Sequence, residues 1–173
     1  MLPAELIGPG KAIEFESPDA FLSENRVRYP NLDPDFIVQI CFEHPGRFND
    51  LLPNFDPRRH SAVRVQRTAG WVYDNVRYEN NEELDFWAEH FDSQLSSGKR
   101  SYEVFTHMVD HGEWPFPPVV VEASFALTLG APKSIGRPYH LIEGTHRVSY
   151  LRRMVQLNML PREKLVSLIA VTG

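Results

Sequence analysis

Two spacings of apolar residues divide the second half of the chain into helices and strands. Leu84, Trp87, Ala88, Phe91 and Leu95 fall three or four residues apart, which predicts a helix with Asn81 as its N-cap and Ser96-Ser97-Gly98 as its end. A second helix opens at Ser101, turns Tyr102, Phe105, Met108 and Val109 inward, and stops at Gly112. The stiff segment Trp114-Pro115-Phe116-Pro117-Pro118 then delivers the chain in extended form to a strand, Val119-Val120-Val121. A second strand, Tyr139 to Ile142, runs through Gly144 into a helix whose Val148, Leu151, Met154 and Val155 define one buried face. Pro161 starts a brief turn, and Leu165 to Val171 reads as the last strand.

The first half is punctuated differently. Pro3, Pro9, Pro18, Pro30, Pro34, Pro45, Pro53 and Pro57 argue against long helices over residues 1–60 and for strands and short turns laid over a core. The apolar run Asp35 to Phe42 predicts a strand. Alternation in Ala62-Val63-Arg64-Val65-Gln66 and again from Trp71 to Tyr78, with Ala69-Gly70 between, predicts a hairpin. No internal repeat or low-complexity tract interrupts the chain.

At 173 residues and 42% apolar content, the expected organisation is one domain over 1–173, with residues 1–80 elaborating a core formed by 81–173. The sole cysteine, Cys41, sits inside an apolar run and reads as a small core residue. No segment approaches the ~20 apolar residues of a membrane span, and the start Met-Leu-Pro-Ala-Glu has no basic-then-apolar leader pattern. A cytoplasmic protein without a membrane partner is expected. A formal charge of -5 and a pI near 5.8 argue against broad affinity for nucleic acid. Cations nonetheless cluster, one group being Arg58, Arg59, Arg64 and Arg67 and another Lys133, Arg137, Arg147, Arg152 and Arg153. Carboxylates gather on the 79–92 helix, at Glu79, Glu82, Glu83, Asp85, Glu89 and Asp92, as a solvated face or as a surface for a basic protein partner.

The join from strand to helix at 139–147 is the candidate site. First-turn amides of a helix point outward without intrahelical partners, and the helix dipole is positive there, so anions favour the position. Gly144 lacks the Cβ that would crowd a ligand, and Thr145 is placed to cap the helix through its side-chain oxygen. By helical phase Arg147 projects to the inner side, where it needs either a bound phosphate or a carboxylate such as Glu143 or Glu122. Glu122 and Glu143 each end a strand and are candidates for coordinating Mg²⁺ or accepting a proton. Lys133 and Arg137, in the Gly130 to Pro138 loop, are candidates to close onto phosphates. His107 and His111 stand four apart on the outer face of their helix with no third metal ligand nearby in sequence, so no metal site is assigned to them.

Glu-Gly-Thr-His-Arg at 143–147, preceded by a strand and followed by an apolar-periodic helix, resembles the signature of the ParB/sulfiredoxin superfamily, whose Gly-x-x-Arg turn binds nucleotide phosphates. Residues 101–122 resemble the superfamily's short helix, glycine stop and central strand, so the likeness covers about 81–173. The resemblance implies an α+β fold, a ParB/sulfiredoxin-like mixed sheet with flanking helices, to which the first 80 residues add a β-rich, proline-rich elaboration. It implies ATP or another nucleotide with Mg²⁺ as ligand, Gly144, Thr145, His146 and Arg147 as phosphate contacts, and His146 as a donor to phosphate. Thr145 stands where sulfiredoxins carry their reactive cysteine, which argues against that activity. The chain ends at Gly173 without the helix-turn-helix module of the partition proteins, which argues against that role as well. Closest in pattern are members with Asp-Gly-His-His-Arg, among them a free-serine kinase.

Two functions of different class follow. One is a nucleotide-binding protein, an ATPase or phosphotransferase, with phosphates at the Gly144 to Arg147 turn. The other is a non-catalytic binding module, such as an immunity protein or antitoxin that neutralises a basic nuclease, with the acidic 79–92 helix and aromatic residues Phe48, Phe55, Trp71, Tyr73 and Tyr78 as its interface.

Overall fold

The computed structural model describes residues 1–8, 18–79 and 81–173, the last without the Asn81 side chain. The N-cap expected at Asn81, and Pro9, therefore lie outside the described residues. The protein is a mixed α+β structure built on one five-stranded sheet with helices on both faces.

The strands are β1 (Ser61–Thr68), β2 (Val76–Arg77), β3 (Val119–Glu122), β4 (Tyr139–Glu143) and β5 (Leu165–Thr172), in the order β1-β5-β3-β4-β2. β1 runs antiparallel to β5, β5 parallel to β3, β3 antiparallel to β4 and β4 parallel to β2. Residues on both sides of position 81 thus share the sheet. Successive side chains on a strand point to opposite faces, and that alternation sorts the core into two. Val119, Val121, Ile142, Ile169 and Val171 face the layer made by the N-terminal third, while Val120, Leu141, Val166 and Leu168 face the other layer. β3 is buried on both faces, as its unbroken valine run requires.

The second layer consists of α4 (Ala69–Asn75), α5 (Asn81–Ser97), α6 (Glu103–His111) and α8 (Thr145–Gln156). Phe91, Phe105, Val148, Tyr150, Leu151 and Met154 fill it, each burial worth about 1.5–3 kcal/mol. The helices expected from periodicity at 84–95, 101–112 and 145–155 are all present, and Gly112 closes α6 in the left-handed conformation. A short α7 (Ala123–Thr128) follows β3.

Two expectations for the first half fail. The predicted strand Asp35 to Phe42 is helical: α2 (Pro34–Phe36) runs into a π-helical turn, Ile37–Phe42. A short apolar run buried all round has no period to separate strand from helix. The start signal was local instead, since the Asp33 carboxylate accepts from Asp35 N at 2.9 Å and Pro34 occupies the first turn. The proline-rich front is accordingly helical rather than β-rich, and α1 (Pro18–Arg28) and α3 (Pro45–Leu51) both begin at a proline. Cys41 is fully buried, as expected of a core residue.

The predicted hairpin is also absent. β1 pairs along its whole length with β5, a partner about a hundred residues away, and 69–75 forms α4. Thr68 starts that helix by accepting from Trp71 N at 3.1 Å, and Gly70 is pressed against Arg162, where a Cβ would stand 3.1 Å from side-chain atoms. Among the described residues, no helix is long and apolar enough to cross a membrane.

Candidate functional site

β4, between β3 and β2, ends at Glu143, and the turn into α8 is made by Gly144 at φ +104°. Only glycine adopts that angle without strain. A Cβ at Gly144 would also stand 2.7 Å from Pro118 Cβ and 3.1 Å from Arg147 Nε. The protein's own packing thus demands the glycine. Thr145 is the first helical residue and not the cap. Gly144 holds the cap position, and no side chain among the described residues caps α8. The first bond of the helix joins Val148 N to Gly144 O at 2.9 Å, which leaves the amides of Thr145, His146 and Arg147 ahead of the ladder.

Those amides border a cleft of about 550 Å³, within the size range of small-molecule sites. Glu143, Gly144, Thr145, His146 and Arg147 all line it. Its other wall comes from the N-terminal layer, where the π-helical turn and the start of α3 present Gln39, Glu43, His44 and Arg47. Tyr102, Val104 and Phe116 close the rim.

Arg147 does point inward, and its partners are protein groups. Nη1 donates to Gln39 Oε1 at 2.8 Å and to the Phe116 carbonyl at 2.9 Å, and Nη2 donates to Glu143 Oε1 at 3.3 Å. Gln39 in turn donates to the Pro117 carbonyl at 3.2 Å. One guanidinium therefore ties α8, the π-helical turn, the Trp114–Pro118 segment and the end of β4 together. Burial pulls its pKa below the ordinary arginine value, with Glu143 and then Glu43 opposing that shift. The geometry makes Arg147 part of the cleft wall.

His146 is fixed on the rim. Its Nδ1 hydrogen-bonds the Tyr102 hydroxyl, and its ring lies in direct contact with Trp87. Burial raises the Tyr102 phenol above its ordinary value, so it remains protonated at neutral pH. Across the cleft, His44 Nε2 stands 4.0 Å from both Glu43 Oε2 and Glu143 Oε2, bringing an imidazole and two carboxylates to one wall. Asp35, also on the wall, is held by Arg64 at 2.7 Å. Among the described residues, no group of three or more His, Cys, Asp or Glu side chains is arranged to hold a metal ion.

Three expected site residues lie elsewhere. β3 and β4 are antiparallel, and Glu122 pairs with Tyr139, at the opposite end of β4 from Glu143. Four residue steps of strand separate those ends by about 13 Å. Glu122 is exposed and accepts a hydrogen bond from Ser124. Lys133 and Arg137 are exposed in the loop that feeds the same far end of β4, and neither lines the cleft.

Conversely, Gln39, Glu43, His44 and Arg47 were missed because the strand reading of 35–42 gave the segment no link to the turn. The available signal was Asp33-Pro34 as a helix start, followed by Gln39 as a lone polar residue in an apolar run. No protein-family model matches the chain, and neither a curated protein nor a solved structure matches it.

Proposed function

We propose that the protein binds a nucleotide as its Mg²⁺ complex, with the phosphates over the α8 N-terminus. The observation that carries this reading is the coincidence of the cleft with the Gly144 to Arg147 turn, whose leading amides border an open cleft of ligand size. The cleft is too acidic for a bare polyphosphate. Glu43 and Glu143 oppose it, and a divalent ion carried by the nucleotide turns them from repulsive to attractive, since Mg²⁺ is commonly held by one or two carboxylates plus phosphate oxygens. Arg47, exposed on the rim, supplies a cation that Arg147 does not. The reading is of the ParB/sulfiredoxin type in its turn, with the guanidinium assigned to the wall.

Thermal shift of the full chain with ATP, CTP, GTP and ADP, each with and without Mg²⁺, tests it. A ligand at a hundred times its Kd stabilises by about 2.7 kcal/mol, a shift of about 5–10 °C for a chain this size. The shift should need Mg²⁺ and shrink in Arg47→Ala. Absence of a shift with every nucleotide overturns the proposal.

One observation favours the protein-binding alternative. Phe86 on α5 is 60% exposed and is flanked by exposed Glu82, Glu83, Asp85 and Glu89, an apolar anchor in an acidic field that suits a basic partner. The aromatic front does not contribute as expected, because Phe48 and Phe55 are core residues with 1% exposure. Phe86→Ala should abolish co-purification of a basic partner if this reading is right, and retention of a partner by the variant would rule out that face.

A further inference from the structure

The whole-chain charge of -5 hides a local surplus of cations around α4. The helix sits where β1 ends and β5 begins, and its first amides are held by the loop before β5: Ala69 N donates to Lys164 O and Gly70 N to Arg162 O, both at 2.8 Å. Guanidinium groups stand over the aromatic side chains of the helix. Arg67 lies 5.3 Å from the Trp71 ring centroid, while Arg152 and Arg162 lie 5.2 and 5.3 Å from that of Tyr73. Arg77 binds the carbonyls of Tyr73 and Val76 at 3.0 Å and of Asp74 at 2.8 Å, and Arg152 shares the Val76 carbonyl at 3.3 Å. With Lys164, exposed in the loop that holds the first amides of α4, five cations surround this helix. The carboxylates among them are Asp74, paired with Arg162 at 2.5 Å, Asp85, which acts on Arg152, and Glu163.

Arg77 and Arg152 meet at the Val76 carbonyl. Burial, and next the Arg77 charge, pull the Arg152 guanidinium below its ordinary pKa. The four arginines are already oriented by rings, carbonyls and, for Arg162, the Asp74 carboxylate, so a ligand would pay little to order them. Beside Tyr73 lies a groove of about 420 Å³ bordered by Gln156, Asn158, Pro161 and Arg162. The chemistry on offer is a row of cations next to a slot with an aromatic wall and amide groups. A carboxylate-rich peptide would use the cations and leave the slot unused. A duplex would need a protruding element to enter a groove, and α4 instead buries Ala69, Gly70 and Val72.

We propose that this face binds single-stranded nucleic acid, with phosphates on Arg67, Arg152, Arg162 and Lys164 and a base in the groove bordered by Gln156, Asn158 and Pro161. RNA and DNA single strands share that chemistry. Site and ligand are separate from the cleft, so the proposal does not depend on nucleotide binding there.

Fluorescence anisotropy of the full chain with labelled 12-nucleotide uridine RNA and thymidine DNA, the matching duplex and poly-glutamate, between 50 and 200 mM salt, decides it. Each phosphate neutralised on a single strand contributes about 0.7 to the salt slope, so four contacts predict a slope near about -3. Arg67→Glu and Lys164→Glu should each weaken binding at least about tenfold and flatten that slope by about 0.7. Arg58→Glu, an exposed cation on another part of the surface, should leave it unchanged. Preference for the RNA or DNA strand assigns the natural source and supports the site. No binding of either strand at 50 mM salt, equal binding of poly-glutamate, tighter binding of the duplex, or an equal loss in Arg58→Glu each overturns the proposal.

Discussion

Replacing Arg147 by alanine tests whether its guanidinium is a wall of the cleft. The substitution deletes the donors to Gln39 Oε1, the Phe116 carbonyl and Glu143 Oε1. Each buried acceptor left without a donor costs about 1–3 kcal/mol, and breaking a buried ion pair from one side costs about 3–5 kcal/mol in comparable cases. These overlap, and Glu143 keeps some solvent, so a total of about 4 kcal/mol is expected. Against a typical stability of roughly 5–15 kcal/mol that is a large fraction, equivalent to about 8–16 °C in Tm. Urea unfolding followed by the fluorescence of the three tryptophans reads it directly. Arg147→Lys should recover less than half, because a single ammonium does not reproduce a planar fork addressing three acceptors. The pair Gln39→Leu with Arg147→Met should cost less than the sum of its singles, since it removes donor and acceptor together. A loss below about 1 kcal/mol in Arg147→Ala would refute the structural role and return the guanidinium to the ligand.

Other consequences can be measured alongside. His140 is buried, accepts from Gly136 N at 3.1 Å and stacks on Tyr78, and burial pulls its pKa down to about 4 from the ordinary 6.5, with Glu79 opposing and Arg47 assisting. The unfolded chain therefore takes up the proton first. Stability should fall as pH drops from 6.5 to about 4, by up to about 3 kcal/mol, and the loss from this group should be complete below that. His140→Gln should flatten this window in urea titrations at a series of pH values; an unchanged slope would contradict it. Gly144→Ala should cost about 2 kcal/mol or more by the same assay, from its positive φ and the contact with Pro118, and a neutral effect would show that the turn relaxes freely. Asp33→Ala should cost about 1 kcal/mol or more from the lost α2 cap, and further from the lost pair with Arg64 at 3.1 Å, and retention of full stability would remove the cap argument.

Periodicity carried the second half of the protein because its helices expose one polar face. Leu84 to Leu95 and Val148 to Val155 have a polar side against which an apolar stripe stands out. The run Phe36 to Phe42 offers no such contrast, being buried between sheet and N-terminal helices, and its helical state was signalled only by Asp33 and Pro34. The hairpin error has another source: alternation in β1 is real, but its partner Leu165 to Thr172 was chosen by tertiary packing that local spacing does not encode. At the site, Gly144 to Arg147 and Glu143 were legible because they are contiguous. The opposite wall, from Gln39 to Arg47, was not, since it depends on how a distant layer packs over the sheet. Glu122 was misplaced for lack of strand direction, a property that the sequence of two short apolar strands leaves open.

Under the proposed function, the amides leading α8 receive the phosphates of a Mg²⁺-nucleotide. Titration of ¹⁵N-labelled protein with ATP, CTP and GTP in Mg²⁺, followed by amide chemical shifts, addresses those amides one by one. Saturable shifts at Thr145, His146 and Arg147 that exceed those elsewhere and require Mg²⁺ are expected. Unmoved signals at these three residues under every nucleotide, or shifts gathered around Trp71 and Tyr73 instead, would contradict it.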